Sequence, residues 1–153
     1  MRIVKELESE RNILQTVKKH IKLIETDENE FAVVNTTTSL GLKIVSVSFG
    51  SCNYTPEMFE RYLDDLRQVY ADNEGFGLIF DLRLLKVPSS HEYVQKQIDF
   101  LKTHRKGIEE LLLWSAYISD SCLMKGVVEL VFQVIPPLKK TMFVSSSDLQ
   151  NMF

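Results

Sequence analysis

The chain has 153 residues, 44% of them hydrophobic and 25% charged, which is the balance expected of one soluble domain with its own core. A formal net charge of -3 lacks the basic excess of a phosphate-neutralising protein, so nucleic acid is not expected as the main partner. No apolar run reaches the roughly 18–20 residues of a membrane span, and the opening MRIVKELESE has no apolar stretch of a secretory signal. Cys52 and Cys122 are far apart and show no CxxC or zinc-type spacing, which fits free thiols in a reducing, cytoplasmic setting.

Ile13, Leu14, Val17, Ile21 and Ile24 recur at helical spacing, which predicts an amphipathic helix over 6–24. A short strand over 20–25 is the competing reading. After the solvated turn ETDENE, residues 31–35 and 42–49 read as two strands, with TTTSLG as the turn of an antiparallel hairpin. Thr55-Pro56 marks a helix start, since the hydroxyl can cap and proline's missing N–H is harmless there. Phe59, Tyr62, Leu63, Leu66, Val69 and Tyr70 give that helix one apolar face, and DNEG ends it. The apolar run 76–82 predicts a strand buried on both faces.

Residues 89–106 read as the next helix, opened by a Ser89/Glu92 capping box and stopped by Gly107. A strand over 110–118 follows, then a helix from Asp120 or Ser121 through Ile135, ended by Pro136-Pro137. A strand over 140–145 and a terminal helix from Ser147 complete the chain. The order β-β-α-β-α-β-α-β-α predicts an α/β fold with a single mixed sheet of about five strands, flanked by helices and preceded by an N-terminal helical segment. One domain is expected over 1–153, with 1–30 as a possible helical arm and 31–153 as the α/β core.

Little in this pattern points to catalysis. His20, His91 and His104 fall on different predicted elements without metal spacing, so they read as solvated and no metal or cofactor is expected. There is no phosphate-binding glycine loop and no GxSxG elbow. Asp81 ends a buried strand, where α/β proteins often place functional groups, yet the structural reading is preferred, in which Asp81 pairs with Arg83 or accepts hydrogen bonds from the following loop. The basic run KTHRKG reads as charge offsetting a helix C-terminus. Within 122–135 the clearly polar residues are Lys125, Glu129 and Gln133, a single narrow stripe. The rest of that helix needs cover, from a terminal helix or from a partner.

The segment LIFDLRLLKVPSSHEYV, with ELLLWSAYI, TMFVSS and SDLQNMF after it, resembles the STAS domain family and its SpoIIAA-like members. There a buried strand ending in Asp leads through a short loop to a D-S-S-G helix start; here Pro88 replaces that Asp and His91 that Gly. The resemblance implies a non-enzymatic regulatory or scaffolding module that binds a protein partner or itself, as a homodimer. By position, Ser89 or Ser90 would take the family's phosphorylated serine. The contact surface expected from these readings comprises Ser89, Ser90 and His91, with Val127 and Val131 on the later helix. The stretch VFQVIPPLKKTMFVSS is also similar to the end of CRAL-TRIO lipid-transfer domains, which implies the alternative of a bound lipid or small hydrophobic ligand.

Overall fold

The strands lie side by side in the order in which the chain makes them. The computed structural model describes residues 10–21, 31–39, 41–87 and 91–150. Along these run α1 (Glu10–Ile21), β1 (Ala32–Ser39), β2 (Leu42–Phe49), α2 (Pro56–Ala71), β3 (Phe76–Asp81), α3 (His91–Thr103), α4 (Arg105–Leu111), β4 (Leu112–Ile118), α5 (Cys122–Val134), β5 (Lys140–Val144) and α6 (Ser146–Gln150). The sheet order is β1-β2-β3-β4-β5; β1 is antiparallel to β2, and all later pairs are parallel. This is the expected α/β fold with one mixed five-stranded sheet.

Side-chain alternation divides the core in two. Val45, Val47, Phe49, Phe76, Leu78 and Phe80 pack under α2, α3, α4 and α5. On the opposite face Ile44, Ile79, Trp114, Ala116, Ile118 and Val144 meet Ile13 and Val17 of α1 and Leu149 of α6. Every β3 residue before Asp81 is buried, as a strand covered on both faces requires. The register slips between Phe76 and Gly77, so Leu113 is an extra residue on β4. This bulge turns Trp114 to the face opposite Leu112 and lays its indole over Gly77.

Three local expectations need correction. The threonines read as a turn are strand: Thr36, Thr37 and Thr38 pair with Val45, Ile44 and Lys43, as β-branched residues favour. The reversal falls at Gly41, whose φ of +79° suits glycine. The single helix expected over 89–106 breaks at His104, and Gly107 lies inside α4 rather than ending a helix. A Cβ there would stand 3.4 Å from the Tyr70 ring of α2, an ordinary van der Waals contact. His20 is buried, not solvated: Nδ1–H donates to the Thr16 carbonyl (2.9 Å), and Nε2 meets the Thr37 hydroxyl at 2.5 Å. That bond ties α1 to β1 and favours the helical reading over a strand from residue 20. The predicted ends of this helix at 6 and 24 lie outside the described residues.

Two stability predictions follow from the α1 face of the sheet. A Cβ at residue 77 would sit 2.4 Å from the Trp114 ring. Gly77→Ala should therefore cost about 3 kcal/mol in denaturant unfolding, while Gly75→Ala, with 3.6 Å to its nearest neighbour, should be tolerated. Ser48 buries a hydroxyl that has no hydrogen-bond partner among the described residues. Ser48→Ala should raise stability by about 1 kcal/mol in the same measurement.

Candidate functional site

Helix α5 is the wall between two candidate surfaces. Ser121 caps it by accepting from the Met124 N–H at 3.2 Å. Met124 and Val131 are buried beneath it, with Val127 and Val128 half-buried against the same core. On the outside, Leu123 is 74%, Leu130 49% and Val134 51% exposed. Lys125 and Glu129 pair at 3.9 Å on the polar stripe. The cover that a terminal helix could have supplied goes elsewhere, because α1 and α6 pack on the other face of the sheet. Among the described residues nothing covers this aliphatic stripe.

Of the residues expected to contact a partner, His91 is exposed at the start of α3. Val131 is buried and Val127 half-buried, and both face the core, so the outward apolar positions are Leu123, Leu130 and Val134 instead. The shift is about one residue along the helix, enough to turn a side chain through 100°. Ser89, Ser90 and the capping box they would open lie outside the described residues.

Beneath α5 a cleft of about 170 Å³ opens between the helix layer and the sheet. Its floor is aromatic, with Phe80 stacked on Tyr117 at 5.1 Å and 10° and Phe49 6.3 Å from Phe80; outside the cleft's lining the row continues to Phe143, 5.8 Å from Tyr117. One ring from each of four adjacent strands forms this row, a non-local alignment that becomes visible only once the register is known. A dry void of this size left by truncation would cost on the order of 4 kcal/mol, which is large against a domain's net stability. Polar groups in the cleft are few. Tyr62 donates to Gln97 Oε1 at 2.9 Å, and the Ser115 and Thr141 hydroxyls are 3.2 Å apart. Burial, reinforced by neighbouring tyrosines, pushes the Tyr62 and Tyr70 phenols well above their ordinary range; burial does the same to Tyr117. The interior is thus uncharged. The exposed lining residues Arg105, Pro136, Pro137 and Leu138 mark the mouth.

The remaining candidates, Asp81 and Asp120 at the carboxyl end of the sheet and His104 between α3 and α4, are occupied structurally. Asp81 accepts from Arg83 Nε at 2.9 Å and from a terminal guanidinium nitrogen at 2.7 Å, so the strand-end carboxylate is spent on its neighbour. Asp120 accepts from the Ser146 N–H (2.8 Å) and hydroxyl (2.7 Å), tethering α6 to the β4–α5 loop. His104 stacks on Tyr70 at 5.7 Å, and burial, with Arg67 nearby, lowers its basicity. Among the described residues no three His, Cys, Asp or Glu side chains gather as a metal site, and Cys52 and Cys122 are free. No helix among them is long and apolar enough to cross a membrane.

The Ser146 backbone and hydroxyl bonds hold the Asp120 carboxyl below its usual range. A depressed carboxylate stabilises the fold above its unfolded pKa, and that contribution fades as pH falls through the folded value. Acidification through and below about pH 4 should therefore lower amide-exchange protection in α6, read at Leu149, and Asp120→Asn should remove that pH dependence.

The chain stands without a match in all three comparisons: no family model, no curated protein and no solved structure matches it.

Proposed function

We propose that this domain is a non-enzymatic, STAS/SpoIIAA-like regulatory or scaffolding module that acts by binding a protein chain. The observation that carries this reading is the outward aliphatic stripe of α5, with Leu123, Leu130 and Val134 uncovered. Contiguous exposed apolar surface is uncommon on a monomer and typical of an interaction site. Leu84 and Val87, in the loop after β3, add exposed aliphatic surface where the expected segment with Ser89 and Ser90 begins. The engagement of Asp81 by Arg83 supports a non-catalytic reading, since that strand end offers no free carboxylate for acid–base work. The partner is a second copy of the chain or a different protein.

Sedimentation equilibrium of the full chain, with pull-down of partners alongside, tests the proposal. Leu130→Asp should weaken association about tenfold and leave unfolding stability within about 0.5 kcal/mol of wild type. Val131→Asp, buried, should instead destabilise the fold. A wild-type chain that stays monomeric at every concentration and recovers no partner would sink this reading.

A further inference from the structure

We propose that the cleft beneath α5 binds a small organic acid, with one aromatic ring held inside and its carboxylate at the mouth. The size comes from the volume: about 170 Å³ is available, and an apolar cavity of roughly 150 Å³ admits a benzene ring. A ring and a short linker fill it, whereas ligands of drug size or larger need pockets of roughly 300 Å³ and more, which excludes a two-chain lipid. The ring's surroundings come from the floor, where Phe49, Phe80 and Tyr117 present faces and edges suited to stacking.

The charge comes from the mouth. Arg105 and Lys139 both line the cleft, and neither side chain has an ion-pair partner among the described residues. Arg105 leads through α4 into Leu112 at the start of β4; Lys139 directly precedes Lys140, which pairs with Trp114 near that same strand start. Both cations line the same cleft. Arg105 stands between the C-terminus of α3, whose dipole it offsets, and the first turn of α4, which carries no acid to pair with it. Inside, the raised phenols and the Gln97 amide are neutral and offer hydrogen bonds without charge. An anion is matched at the mouth and an uncharged ring within. This site is separate from the α5 docking stripe, since Leu123, Leu130 and Val134 do not line it.

Titration of the full chain with hydrocinnamate and with neutral hydrocinnamyl alcohol, followed by protein-observed NMR, provides the test. The acid should bind saturably, about tenfold more tightly than the alcohol, with shifts centred on Tyr117, Phe80 and Val128. Replacing both rim cations (Arg105→Met with Lys139→Met) should bring the acid down to the alcohol's affinity and leave the alcohol unchanged. Val128→Trp should abolish binding of both; if that variant fails to fold, the rim pair decides alone. The proposal is overturned if neither probe saturates, if acid and alcohol bind equally, if the rim variant leaves the acid's affinity intact, or if the shifts map outside the cleft.

Discussion

A parallel strand pair joined by a helix crosses over right-handedly, and in this sheet each crossover steps the same way. That repetition forces α2, α3 with α4, and α5 onto a single face. The other face must then be closed by segments from outside the crossover series, and α1 and α6 do this from the two ends of the described chain. Ile13, Val17 and Leu149 supply the apolar cover, while His20 and Asp120 supply the directional bonds that hold the two helices in place. The same constraint leaves α5 as the last crossover helix of its layer, with α3 on one side and no helix beyond it among the described residues.

The two faces of the sheet are packed on different terms. On the α1 side small and large residues interlock, with the Trp114 indole occupying the space that Gly77 leaves empty. On the crossover side the strands contribute a row of wide, flat rings, and the helices above add both aliphatic residues and further rings, Phe59, Tyr62 and Phe100 among them. The cleft lies where these rings meet the inward aliphatic residues of α5. One helix therefore carries two surfaces of different character. Its inner residues bound an aromatic cleft, and its outer residues, about a hundred degrees around the helix, meet solvent.

The sheet and its helices were legible in the sequence wherever the signal was local. The hydroxyl before Pro56, the double-sided apolar run of β3, the Ser121 start of α5 and the proline pair after it all act within a few residues, and each lies where the pattern placed it. What escaped depended on partners distant in the chain. The threonines of β1 read as a turn until paired with β2, and Gly107 read as a stop until Tyr70 was seen beside it. His20 looked solvated because nothing in its neighbourhood foretells Thr37. The narrow polar stripe of α5 was legible and signalled its surplus of apolar surface. Which residues face out was not, because the helix's phase against the sheet is set by β4 and β5, and Val127 and Val131 turned inward. The aromatic row needed the register of four strands.

The chain contains one tryptophan, and it is fully buried among the residues facing α1 and α6. The molecule thus has a single indole on one side of the sheet and its tyrosines on the other. Indole emission responds to water at the α1 side, whereas phenol signals belong mainly to the helix-covered side. Selective excitation of the indole therefore follows the α1 side of the core in an unlabelled sample, so loosening of the terminal helices carries its own optical signal.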